Sequence, residues 1–181
     1  MTVQHPPPPP APAWPTPSLR PHGGTALRLT DLLSIREACL RLAVDTQREL
    51  LLFSRDLDPD LYDQVPFLDA VRHLALARPQ FPVRVLVFEP LAPVRAGHRL
   101  IGLSRRLPSR IAIRRVAEDF RTRMDAFLIS DGTGYCLRRL ADRHAALVEW
   151  RAPGAARRLR ADFDAIWEHS NEDIELRRID L

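Results

Sequence analysis

The stretch AFLISDGTGYCLRRL, Ala126–Leu140, decides the fold. Its first five residues are an apolar run closing on a serine, the pattern of a strand buried on both faces. Asp131-Gly132-Thr133-Gly134 then supplies turn chemistry, because Asp and Gly accept left-handed backbone at low cost. Tyr135–Leu140 returns as an antiparallel partner strand. A hairpin at this point fixes two neighbouring strands, and the flanking segments say what sheet they join.

Upstream, Thr30 or Asp31 caps a helix in which Leu32, Leu33, Ile35, Ala38, Cys39, Leu42 and Ala43 recur at helical spacing. Glu49–Ser54 (ELLLFS) reads as a buried strand and Arg55–Asp63 (RDLDPDLYD) as a polar loop. Val65–Ala77 is an amphipathic helix, and Val83–Phe88 (VRVLVF) a second strand. Glu89–Ala96 is a proline-punctuated loop, His98–Leu107 a helix stopped by Pro108, and Arg110–Val116 (RIAIRRV) a third strand. Downstream, Ala146–Trp150 is a candidate sixth strand. Pro153 opens a helix to about His169, with Ala156, Leu159, Phe163, Ile166 and Trp167 inward. Ile174–Leu181 (IELRRIDL) alternates and is a candidate edge strand. Helices alternating with strands predict parallel pairing through right-handed crossovers, and the hairpin makes the sheet mixed. The expected architecture is an α/β domain over residues 26–181, with a mixed, largely parallel sheet flanked by helices. Residues 1–25 hold nine of the chain's 17 prolines and are expected to be a disordered proline-rich tail or linker.

Composition removes several chemistries. All 27 basic residues are arginine, so there is no P-loop, Schiff-base or other catalytic lysine. Cys39 and Cys136 cannot build a disulfide scaffold or a structural zinc site, which points to a reducing, cytoplasmic setting. No apolar run reaches membrane-spanning length, and no secretory signal is apparent. The histidines share no ligand spacing, and no GxSxG elbow exists. Charge is segregated. Asp31–Asp69 holds four Arg against nine acids, Arg95–Arg160 holds 16 Arg against six, and Ala161–Leu181 two Arg against seven. A basic middle between acidic ends can bind a polyanion, or be neutralised by its own flanks.

Asp56, Asp58, Asp60 and Asp63 follow the first of these strands, where α/β proteins place ligands. As a calcium loop the segment fails, having Leu61 for the required glycine and Phe67 for the required glutamate. As a dehalogenase-type phosphatase start, Asp56-x-Asp58 is displaced from its strand by Ser54-Arg55. The plain reading is an Asx-rich turn that caps the next helix.

The element order from Arg48 to Leu140 resembles one half of the phospholipase D fold: strand, helix, strand, helix, basic strand, then a strand ending in Asp-Gly and a hairpin. That superfamily carries H-x-K-x-x-x-x-D and, six residues on, G-S-x-N; its histidine attacks phosphorus while the lysine and asparagine hold phosphate oxygens. With Asp131-Gly132 as anchor, the nucleophile position falls on Met124 and the lysine on Ala126. The Gly-Ser pair falls on Arg138-Arg139 and the asparagine on Ala141. Only Asp131 matches. More narrowly, FSRDLDPDLYD, the GHRL helix, AFLISDGTGY and FDAIWEHS…ELRRIDL resemble a bacterial domain of unknown function sometimes attached to acetyltransferases. The resemblance implies a phospholipase D-like domain without catalytic residues, metal or cofactor. It would be a binding or regulatory module for an anionic ligand, whether phosphate, nucleic acid or head group. The implied cleft is lined by Arg55, Asp56, Arg114, Asp131 and Arg138 or Arg139. Arg139, on the serine position, is expected to face the cleft and Arg138 to be solvated. A homodimer and an acetyltransferase-type partner domain follow from the same resemblance. Two other readings stand beside it: a metal-dependent phosphohydrolase using Asp56 and Asp58, and a homodimeric scaffold with no small ligand.

Overall fold

Every side chain of Leu50–Ser54 is buried. Leu50 and Leu52 join one apolar cluster, Leu51 and Phe53 a second on the opposite face. A strand covered on both faces sits inside a sheet between two helical layers. The computed structural model describes residues 26–173 and Leu176. Its elements are β1 (Leu27–Leu29), α1 (Leu32–Asp45), β2 (Leu50–Ser54), α2 (Pro59–Tyr62), α3 (Val65–Ala77), β3 (Val83–Val87), α4 (Leu91–Arg95), α5 (Arg99–Arg106) and β4 (Ile111–Arg115). A 3₁₀ turn, Glu118–Phe120, leads to β5 (Ala126–Ser130), β6 (Gly134–Arg138), β7 (Ala146–Glu149) and α6 (Pro153–His169).

The sheet order is β1-β7-β6-β5-β2-β3-β4. The mixed α/β class is as expected, but the sheet is mostly antiparallel, not largely parallel. Only β2–β3 and β3–β4 are parallel pairs; the other four are antiparallel. The connections explain this. Helical crossovers carry the chain back between β2, β3 and β4, so those strands run alike. The link from β4 to β5 contains only the 3₁₀ turn and no crossover helix, so β5 starts at the end where β4 stops and runs the other way. Hairpin geometry then makes β6 and β7 antiparallel.

The expected loop over Arg55–Asp63 contains α2, and the proline-punctuated loop contains α4. The three-residue strand β1 is too short to carry a periodic signal. The candidate edge strand over 174–181 and the tail over 1–25 lie outside the described residues, apart from Leu176, which is buried. Among the described residues, Asn171 makes a single antiparallel bridge to Arg115, and no helix is long and apolar enough to cross a membrane.

Helices α1, α3 and α5 cover one face of the sheet, packing Ile35, Leu42, Val71 and Leu103 on Leu52, Val85, Ile113 and Leu128. Helix α6 covers the other with Leu159, Phe163, Ile166 and Trp167 on Phe53, Leu86, Phe127 and Tyr135. Gly134 is needed where β6 passes beneath α1. A Cβ there would lie 2.9 Å from Leu42 Cδ2 and 3.2 Å from the Trp150 carbonyl oxygen.

The β2–α2 connection is held by a buried histidine. Leu57 sits at φ 56°, a left-handed conformation that a branched side chain adopts only under constraint. Its carbonyl is bound by His98 Nε2 at 2.8 Å, while His98 Nδ1 accepts the Leu100 amide at 3.2 Å and caps α5. Withdrawal from water lowers the imidazole pKa below its ordinary 6.5, and the nearby Asp63 carboxylate opposes this only in part. The unfolded chain therefore binds this proton at a higher pH than the folded protein, so stability must fall as pH drops below 6.5. Urea unfolding across pH 5 to 8 should show this decline in the native chain and a flatter profile in His98→Asn, whose amide can still cap the helix.

Candidate functional site

Because β5 is antiparallel to β2, the exits of β2, β3 and β6 and the entry of β5 meet at one end of the sheet. There they enclose a cleft of about 210 Å³, lined by Arg55, Phe88, Glu89, Arg121, Arg123, Met124, Asp125, Ala141 and Asp142. Met124 stands at the mouth, 63 % exposed. Cations and carboxylates are equal in number along these walls, and each arginine is already engaged. Arg55 reaches Glu89 at 3.1 Å and Arg121 reaches Glu118 at 2.8 Å. The Arg123 side chain is 7 % exposed. It donates to Asp125 at 2.9 and 2.6 Å and to Asp162 at 3.2 Å, with its guanidinium over the Phe53 ring.

The six residues expected to line one cleft are not together. Arg55 does line it. Asp56 lies in the adjoining loop, where withdrawal from water, then the Asp58 charge, raises its carboxyl above the ordinary 3.8. Arg114 is instead packed under α6. Its guanidinium lies 4.3 Å from the Trp167 ring centroid and donates to the Trp167 carbonyl at 2.9 Å. Asp131 is at the opposite end of the sheet. Its carboxylate accepts the backbone N–H groups of Gln47, Arg48 and Glu49 at 2.8, 2.7 and 2.9 Å. Its own amide donates to the Glu49 carbonyl at 2.9 Å.

Arg138 and Arg139 reverse their expected characters. Strand alternation turns Arg138 toward the α1 layer, alongside Cys136, and Arg139 toward α6, alongside Tyr135 and Leu137. The Arg138 side chain is only 4 % exposed, bound to Asp58 at 3.0 Å and to the carbonyls of Ala141 and Arg143. Arg139 is exposed. Neither strand face is cleanly apolar in sequence, so the pattern carries no sign of this.

The acidic loop is largely spent on structure. Asp58 caps α2 through the Asp60 amide and holds Arg138, Asp60 approaches Arg36, and Asp63 binds Arg99 at 2.7 Å. Acidic flanks thus neutralise part of the basic middle segment, through these pairs and through Arg160–Glu49 and Arg115–Asp173. Sequence reading passed over Arg121, Arg123 and Asp125. The run RTRMD before AFLIS holds them, but its place beside the β2 exit follows only from the antiparallel β2–β5 pairing.

Removing Arg138 leaves Asp58 without its cation and frees two carbonyls in a buried setting. Arg138→Ala should therefore cost about 3 kcal/mol or more, whereas the exposed Arg139→Ala should cost under about 1 kcal/mol. Guanidinium unfolding of both variants checks this. Equal losses would mean that Arg138 does not anchor the loop.

No curated protein matches the chain. Solved structures do. TrmBL2, described as an archaeal chromatin protein with a novel mode of DNA binding, aligns at TM-score 0.59 and 14% identity, over 86% of this chain and 57% of its own. The chain thus spans a little over half of TrmBL2. NucT from Helicobacter pylori aligns at TM-score 0.57 and 9% identity, over 82% of this chain and 98% of its own. Nuc from Salmonella typhimurium, a phospholipase D family member, aligns at TM-score 0.50 and 14% identity, over 76% and 90%. At such identities the likeness concerns the fold, which is phospholipase D-like. The family model described as "Domain of unknown function (DUF7931)" matches residues 31–179, and the chain belongs to that family.

Proposed function

We propose that the chain is a non-catalytic phospholipase D-like module that binds a phosphate-bearing partner. One observation carries the reading. The positions on which the superfamily's nucleophile and asparagine would fall, Met124 and Ala141, line the strand-end cleft. A thioether does not attack phosphorus at neutral pH, and a methyl group cannot hold an oxyanion. Ala126, on the lysine position, is buried in β5, and the chain contains no lysine to take its place. The excess of arginine over acid, a formal charge of +4, favours an anionic partner. The fold likeness to TrmBL2, a chromatin protein that binds DNA, supports the same direction.

The direct check is turnover of a generic phosphodiester, a generic phosphomonoester and an oligonucleotide, each with and without magnesium. The reading expects rates equal to the protein-free control. Magnesium-dependent turnover that survives repurification and disappears in Asp56→Asn would replace it with the phosphohydrolase reading.

A further inference from the structure

The cleft and the opposite end of the sheet differ in how their arginines are used. At the cleft every lining arginine has a carboxylate partner. At the other end Arg48, Arg151, Arg157 and Arg158 are exposed and form no ion pair among the described residues. The carboxylates near them are already occupied. Both Asp131 oxygens are taken by backbone amides. Glu49 holds Arg84 and Arg160, Asp45 holds Arg41, and Glu149 is buried and accepts the Tyr135 hydroxyl at 2.6 Å. The first turn of α6 contains no acid to offset the arginines that follow.

Backbone contacts bring these segments to one place. The Asp131 turn binds the amides of residues 47–49, and its Thr133 carbonyl accepts the Ala152 amide at 2.7 Å. Between Glu149 and Arg151 stands Trp150, 45 % exposed, a large indole that the fold leaves in water. Exposed arginines without counter-ions around an accessible aromatic ring are the two components that hold an unpaired nucleic-acid strand: phosphates on the cations, a base on the ring.

We propose that this end of the sheet, opposite the cleft, binds single-stranded nucleic acid, with Trp150 stacking on a base and Arg48, Arg151, Arg157 and Arg158 holding phosphates. The proposal rests on the reading of the domain as a binder of phosphate-bearing partners. It puts the partner away from the neutralised cleft.

The test uses the full chain with labelled oligo(dT), oligo(rU) and a DNA duplex over a salt series. Four phosphate contacts predict a slope of log K against log salt of about −3 for the single strands. The Arg151→Gln, Arg157→Gln, Arg158→Gln triple variant should bring the slope to about −1 and weaken binding at least tenfold. Trp150→Ala should lose about tenfold in affinity and abolish the quenching of tryptophan fluorescence on binding. All four positions are exposed, and matching circular dichroism and melting temperature confirm that these variants fold. Arg55→Gln and Arg121→Gln, in the cleft, should bind as the native chain does. The proposal fails if no saturable, salt-sensitive binding occurs at low salt, or if the cleft variants lose binding and the triple variant does not. It also fails if the duplex binds equally and Trp150→Ala has no effect. Shortening of the oligonucleotide would instead overturn the non-catalytic reading, and the binding site would still be decided by the variants.

Discussion

One carboxylate holding three consecutive backbone amides sets the rest of this structure in place. Asp131 closes the β5–β6 turn onto residues 47–49, and so pins the entry of β2 to the exit of β5. That contact fixes the register in which Leu50 faces Ser130 and Phe53 faces Phe127. Both strands are buried on both faces, so a slip by one residue would exchange every side chain between two different cores. The register fixed at one end also determines what meets at the other, where Arg55 and Met124 come to share a cleft. Hydrogen bonds to a charged acceptor are the stronger kind, and Asp is among the residues that tolerate the φ of 51° found here.

The same fold divides its charges between structure and surface. Acidic residues from both flanks of the chain neutralise part of the basic middle inside the domain: Asp58 with Arg138, Glu49 with Arg160 and Asp162 with Arg123. For the buried pairs, Arg138 with Asp58 and Arg123 with Asp162, truncating one partner costs more than the pair contributes, because the remaining charge is stranded. These arginines are therefore committed to the fold. Arg48, Arg151, Arg157 and Arg158, which are exposed and form no ion pair among the described residues, lie at the Asp131 end, away from the cleft.

Much of the fold was legible in the sequence, because apolar runs and helical spacing follow directly from burial. The β2, β3 and β4 order, the AFLIS–YCLRR hairpin and the inner face of α6 all emerge from periodicity. Strand direction beyond β4 was not legible, since it depends on whether a connection crosses back over the sheet. The site was read less well for a related reason. Arg55 was found because it follows a recognisable strand. Arg114 was misplaced because a half-buried arginine stacked on Trp167 looks, in sequence, like any solvated one. Asp131 was expected in the cleft as the one residue matching the motif, but it lies at the opposite end, held by amides more than 80 residues earlier in the chain.

Both Asp131 carboxylate oxygens are held by backbone amides, which ties this side chain to the fold. Equilibrium unfolding of Asp131→Ala and Asp131→Asn, with anion binding measured on each folded variant, isolates that point. The alanine variant should lose about 2–3 kcal/mol, through unsatisfied amides and left-handed strain, and the asparagine variant clearly less. Binding per folded molecule should be unchanged in both. Native stability in Asp131→Ala, together with lost anion binding, would contradict the account.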